Sequence, residues 1–99
     1  MTMSYTLDVA VDWGKRGSYI AKHGIAVTDV NEALADPDRV VLAPDPKSTS
    51  GRSLRIIGYS AAAGTLITVI TLPHDGITYG VNAWKSNSTD RRLYREGKL

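Results

Sequence analysis

The side chains best suited to chemistry in this chain are cations that bracket its C-terminal half. They are Arg52, Arg55, Lys85, Arg91 and Arg92. Trp84 lies directly before Lys85, so an indole stands beside the cationic groups. Guanidinium and ammonium groups bind phosphate, and an aromatic ring can stack an unpaired base. The pattern therefore points to single-stranded nucleic acid, although solvated cations beside a core tryptophan would give the same spacing.

Proton transfer in RNA cleavage without a metal needs a base and an acid, together with cations that stabilise the developing phosphorane charge. His23 and His74 have a suitable ordinary pKa of about 6.5. His23 is the candidate for catalysis, with Arg52 and Arg55 as the charge-stabilising groups, whereas His74 falls in an expected turn. Lys22 is either a phosphate contact or a lysine that compensates a helix dipole.

Three strands must position the cations of the C-terminal half. From Arg52 onward, Leu54 and Ile56 alternate with Arg55 and other residues of the opposite face. The segment 65–72 is apolar or β-branched on both faces, as in a central strand, and segment 77–83 alternates after a turn at 73–76. These patterns predict an antiparallel meander, in which Gly80 and Trp84 share one face.

Short helices are expected before and after the meander. Segment 15–22 predicts a helix that ends at Gly24, and Thr28 is the expected cap of a second helix that stops at Pro37. Asn87 is the expected cap of a C-terminal helix that carries Arg91 and Arg92. With an opening strand at 6–11 and a short strand at 40–43, the chain predicts an α+β fold of two layers.

Length and composition exclude several classes of protein. The chain has 99 residues, enough for one domain spanning 1–99, and its formal charge of +2 is only mildly basic. No cysteine is present, and the two histidines lack metal-ligand spacing, so neither a metal nor a cofactor is expected. No apolar run approaches the roughly 20 residues of a membrane span, and no secretory signal is apparent, which favours the cytoplasm.

Three ordered groups of residues resemble the BrnT family of bacterial toxins. The first is Trp13 followed by the segment 22–25 and by the helix through residues 32–34. The second is Arg52 before the Ile-Gly pair at 57–58, and the third is the segment 82–85 leading to 90–94. The resemblance implies a RelE-like fold and a metal-independent ribonuclease that a partner antitoxin, of the ribbon-helix-helix type, neutralises. The residues that we predict to bind RNA are Lys22, Trp84, Lys85, Arg91, Arg92 and Tyr94.

This chain departs from the family at several positions. Trp84 and Tyr79 stand where the family commonly has arginine, and Gly51 stands where an acidic residue often precedes the arginine. These differences support an alternative, a noncatalytic module of the same fold that binds an antitoxin or nucleic acid. A small-molecule enzyme has little support because no nucleophile-base pair or phosphate loop can be assembled. The sequence is also compatible with a homo-oligomer.

Overall fold

A five-stranded mixed β-sheet forms the centre of the computed structural model, which describes residues 11–14 and 16–97. The strands are β1 Val11–Asp12, β2 Val40–Leu42, β3 Leu54–Ser60, β4 Thr65–His74 and β5 Ile77–Lys85. They lie in the order β1-β5-β4-β3-β2, with β1 parallel to β5 and every other pair antiparallel. The predicted meander is confirmed, and the predicted opening strand falls largely outside the described residues.

Three helices cover the two faces of the sheet. They are α1 Arg16–Ala21, α2 Val27–Ala35 and α3 Ser88–Gly97. Side chains of α1 and α2 pack on one face, whereas α3 bonds to side chains of the other face. The predicted α+β class is confirmed, but the predicted two-layer packing is wrong, because helices lie on both sides of the sheet.

The apolar core lies between the sheet and the first two helices. Its buried members are Trp13, Ile20, Ile25, Val30, Ala33, Ile56, Ile67, Val69 and Ala83. Burial of each large side chain contributes about 1.5–3 kcal/mol. Gly58 lets α2 approach the sheet closely, because a Cβ at this position would overlap the carbonyl group of Ala33. The helix is therefore fixed against one strand position.

The end of α1 is set by Gly24, as the sequence predicts. Gly24 has φ +81° and donates its N–H to Ala21 at 3.0 Å, and Ile25 donates its N–H to Ile20 at 3.1 Å. These two bonds make a Schellman motif, which satisfies carbonyl groups at the helix end and packs the two buried isoleucines together. Lys22 and His23 lie just beyond the helix, in the turn that this motif forms.

The cap of α2 differs from the sequence prediction. The helix begins at Val27, its cap residue is Ala26, and Thr28 lies inside the helix. The carboxylate of Asp29 accepts the N–H of Ala26 at 2.9 Å, which supplies one half of a capping box. A residue in the first turn therefore does the work that the sequence assigned to Thr28.

A β-bulge divides β5 into two parts. Ile70 pairs with Asn82 but Thr71 pairs with Gly80, so one extra residue stands in β5. This insertion reverses the alternation of side chains between the two faces. Gly80 consequently lies against the ring of Trp13 in the core, whereas Trp84 lies on the face of α3. The prediction that Gly80 and Trp84 share a face is wrong for this reason.

Candidate functional site

Arg55 is buried and bound by two carboxylates on the face of the sheet that α3 covers. Only 8% of its surface is exposed. Its Nε donates to Asp45 Oδ1 at 2.9 Å, and its Nη1 donates to Asp90 Oδ1 and Oδ2 at 3.1 and 3.0 Å. A guanidinium with two carboxylate partners and little exposure cannot also hold a phosphate at the surface. The structure therefore does not give Arg55 the free, charge-stabilising position expected of a catalytic group.

Two hydroxyl groups complete the surroundings of Asp90, which is 2% exposed. Thr68 Oγ1 donates to Asp90 Oδ2 at 2.8 Å and lies 2.7 Å from Ser86 Oγ. Because the single hydroxyl proton of Thr68 is used on Asp90, Ser86 must donate to Thr68. We call Asp45, Arg55, Thr68, Ser86 and Asp90 the Arg55 cluster. It joins the loop before β3, the middle of the sheet and the start of α3.

The start of α3 is held by a cap as well as by the Arg55 cluster. Asn87 Oδ1 accepts the N–H of Asp90 at 2.9 Å, and the carbonyl oxygen of Asn87 accepts the N–H of Arg91 at 2.9 Å. The predicted cap is confirmed. Asp90 also places a carboxylate in the first turn, where the helix dipole favours negative charge.

Trp84 is partly exposed and lies directly beside the Arg55 cluster. The Arg55 guanidinium carbon is 5.5 Å from the centre of the indole, within the range of a cation–π contact. Trp84 also pairs with Thr68 across the two central strands. The indole thus contacts the buried Arg55 guanidinium, and Trp84 remains partly exposed to solvent.

Arg52 and Arg91 lie at opposite ends of the β3–β4 hairpin. Arg52 precedes the first residue of β3, whereas Arg91 Nη2 donates to Thr65 Oγ1, at the first residue of β4, at 2.6 Å. The seven residues from Leu54 to Ser60 span about 20 Å along the strand. With Arg55 buried between them, these arginines do not share a cationic hollow.

Three exposed cations lie on α3: Arg91, Arg92 and Arg95. Lys85 is exposed at the end of β5, but it pairs with the core residue Ile67, so it lies on the face of α1 and α2, unlike its neighbour Trp84. We call Trp84, Arg91, Arg92 and Arg95 the α3 surface. It collects three of the residues that the sequence assigns to RNA binding.

Lys22 and His23 lie in the other layer, with α1, and not beside Arg55. His23 Nδ1 is 3.0 Å from the carbonyl oxygen of Tyr19, and the two rings are 4.9 Å apart. The Arg16 guanidinium lies 4.4 Å from the centre of the Tyr19 ring. The three predicted catalytic residues are therefore separated: His23 is on one side of the sheet, Arg55 is on the other, and Arg52 is in a loop.

The hydroxyl of Tyr94 donates to Asp36 Oδ2 at 2.7 Å. Burial, followed by this hydrogen bond and by the charges of Asp36 and Asp38, raises the pKa of Tyr94 to about 12. A phenol that holds its proton so firmly does not act as a base near neutral pH. Tyr94 therefore secures the middle of α3 to the residue after α2.

No metal centre is found among residues 11–14 and 16–97. This part of the chain holds no group of three or more His, Asp or Glu side chains placed to bind a metal ion. His74 is the exposed last residue of β4, not a turn residue as predicted, and its Nε2 lies 3.3 Å from Oδ2 of Asp75 in the turn that follows. In the same residues, the helices are too short and too polar to cross a membrane.

Asp45 and Asp90 are the residues of this region whose role sequence reasoning missed. A signal was present, because Arg55 stands in an apolar strand, and a buried arginine requires a carboxylate partner. The sequence does not say which of the ten acidic residues provides it. Asp45 is 10 residues away and Asp90 is 35 residues away, so the pairing depends on how the sheet and α3 fold together.

Searches among protein families and among curated proteins found no match to this chain.

Proposed function

We propose that this chain is a BrnT-like component of a toxin–antitoxin pair, with a RelE-like fold, that binds single-stranded RNA through the α3 surface. The observation that carries the proposal is the fixed Trp84 beside exposed cations. Buried Arg55 holds the indole, while Arg91 and Arg92 remain exposed on the adjoining helix. Stacking of a base on the indole and binding of phosphates by the arginines would act together.

The geometry favours binding over cleavage. Arg55 is neutralised by two carboxylates, Tyr94 holds its proton, and His23 lies on the other side of the sheet. These positions support the noncatalytic alternative that the departures from the BrnT family suggest. In that case, the protein acts through the RNA it holds and through a small antitoxin, of the ribbon-helix-helix type, that covers it.

RNA binding is tested by the dependence of affinity on salt. The double variant Arg91→Ala, Arg92→Ala should weaken binding to a fluorescent single-stranded RNA and lower the log-log salt slope by about 1.4, since each lost contact removes about 0.7. A control that removes an exposed charge elsewhere, Lys47→Ala, should leave the slope unchanged. Equal slopes for the wild type and the arginine variant would exclude the α3 surface as the RNA-binding site.

Ribonuclease activity is a second candidate, which one contact of His23 favours. Because the Tyr19 carbonyl can only accept, the 3.0 Å contact favours the tautomer with its proton on Nδ1. The exposed Nε2 is then free to accept a proton, as a base must. End-labelled RNA incubated with a metal chelator should be cut by the wild type and by His74→Gln, but not by His23→Gln. Intact RNA in every sample would exclude ribonuclease activity, and RNA binding would be the one remaining candidate.

The toxin assignment is tested in cells. Induced expression should stop growth, and a small protein encoded next to this gene should restore it. The Arg91→Ala, Arg92→Ala variant should be less toxic at equal protein level, because it holds RNA less tightly. Normal growth under strong expression of the wild type would contradict the assignment.

A further inference from the structure

An apolar hollow lies where α2 ends, beside the start of the β3–β4 turn. It has a volume of about 350 Å³ and is lined by Glu32, Ala35, Asp36, Pro37, Tyr59 and Ala61. Its lining is mostly apolar, and two of the lining residues, Glu32 and Asp36, carry carboxylates. We call it the Glu32–Tyr59 hollow.

Glu32 carries a negative charge that the rest of the described chain does not neutralise. Its Oε1 accepts the N–H of Ala62 at 2.8 Å and the hydroxyl of Ser60 at 2.9 Å, and these bonds lower the pKa of the carboxyl group. Within residues 11–14 and 16–97, no lysine or arginine lies at salt-bridge distance from it. The carboxylate is therefore ionised at neutral pH and held in place by the β3–β4 turn.

Tyr59 also lines the hollow and is 48% exposed. Its backbone N–H donates to Asp36 Oδ2 at 2.8 Å, which fixes the strand at this point. An exposed phenol ring offers a face to a cation, and the neighbouring Ala35 and Pro37 offer apolar contact. The apolar lining and the carboxylates together suit a side chain that is apolar along its length and positively charged at its end.

We propose that the Glu32–Tyr59 hollow receives an arginine side chain from a protein partner. The methylene groups would pack on Ala35 and Pro37, and the planar guanidinium would pair with the Glu32 carboxylate. RNA does not fit here, because the carboxylates would repel its phosphates. The inference rests on the proposed function only in naming this partner as the antitoxin.

The hollow is tested with two short peptides on the full chain. Acetyl-Leu-Arg-Leu-amide and acetyl-Leu-Gln-Leu-amide differ only in the side chain that the hollow is expected to select. In a titration followed by nitrogen-15 NMR, the arginine peptide should shift the amide signals of Tyr59, Ala61 and Ala62, and the glutamine peptide should leave them in place. Absence of these shifts with the arginine peptide would overturn the inference.

Glu32→Gln should weaken binding of the arginine peptide about five-fold, because it removes the ion pair. Glutamine keeps an oxygen that accepts the bonds from Ser60 and Ala62, so the turn is retained. Asp75→Asn, which removes the same charge from a distant exposed turn, is the matched control and should bind as the wild type does. Equal weakening by both variants would reveal a general charge effect and overturn the inference.

A second copy of this chain is the competing occupant, since its α3 arginines could supply the cation. Sedimentation of the wild type should show a monomer, and a dimer that Glu32→Gln disperses would overturn the assignment to a different partner. The two proposals fail separately. If the wild type binds RNA but not the arginine peptide, only the inference about the hollow is contradicted. If it binds the peptide but not RNA, only the proposed function is contradicted.

Discussion

Arg55 donates from a single nitrogen, Nη1, to both carboxylate oxygens of Asp90, and so connects β3 to the first turn of α3. Its Nε reaches Asp45 in the preceding loop. One cation therefore holds two segments that are far apart in sequence. A buried charge group of this kind is very sensitive to loss of one member, because the remaining charges are left without a partner.

Replacement of Arg55 by methionine should lower the free energy of unfolding by about 3–5 kcal/mol, since Asp45 and Asp90 would remain buried without a cation. Urea denaturation followed by circular dichroism measures the change. Arg52→Met, at an exposed position of the neighbouring loop, should alter stability by no more than about 0.5 kcal/mol. Similar midpoints for the two variants would contradict a structural role for Arg55.

Removal of the α3 cap should lower the free energy of unfolding by less than replacement of Arg55 does. Asn87→Ala should lower the free energy of unfolding by about 1 kcal/mol, because the N–H of Asp90 loses its acceptor. The decrease in the free energy of unfolding should be small for Asn87→Asp, because aspartate retains an oxygen that can cap the helix. Ser88→Ala, at the exposed first residue of the helix, is the control for local helix propensity. The prediction fails if Asn87→Ala and Ser88→Ala have equal melting temperatures.

Two glycine positions should respond in opposite ways to alanine. Gly58→Ala should destabilise the fold by about 1–3 kcal/mol, because the new methyl group meets the Ala33 backbone and must push α2 from the sheet. Gly17→Ala should be neutral or stabilising, because its methyl group would lie 3.7 Å from Trp13 Cβ in a helix that prefers alanine. Thermal unfolding of both variants tests the pair, and equal destabilisation would argue against the close approach at Gly58.

Tyr94 should ionise later than an ordinary tyrosine. Its pKa is raised to about 12 from the ordinary tyrosine value of about 10, so the protonated form is favoured in the folded state. The stability that this contact contributes is therefore fully present below pH 10 and is lost as the pH rises toward 12. Phenolate absorbance should show a late step that is absent in Tyr94→Phe. A wild-type titration with a single midpoint near pH 10 for all tyrosines would contradict the hydrogen bond to Asp36.

Local patterns predicted much of this fold. The meander follows from alternation, Gly24 ends α1 because its positive φ completes a Schellman motif, and Asn87 caps α3 with its own side chain. Each of these features depends on residues close together in the chain. Their physical cause can therefore be read before the tertiary structure is known.

Features that depend on distant contacts could not be predicted in the same way. The bulge in β5 moves Gly80 and Trp84 to opposite faces, although strict alternation puts them together. Arg55 looked like a surface cation because its charge suggested exposure, whereas two remote carboxylates allow it to be buried. For the candidate site, the residue types indicated the cations of the α3 surface. They did not indicate that Arg55 would be buried by two carboxylates while the α3 arginines stay exposed.

The pairing of Val11 with Thr78 has a consequence for how the chain acquires its structure. The edge strand near the N-terminus has no neighbour until the last strand has been synthesised, so it must wait while most of the polypeptide leaves the ribosome. Such a high sequence separation slows closure of the sheet, whereas the β3–β4 and β4–β5 hairpins can form early. A truncated product that ends before β5 would expose unpaired backbone groups on both strands that flank it, and aggregation of such fragments is the expected result.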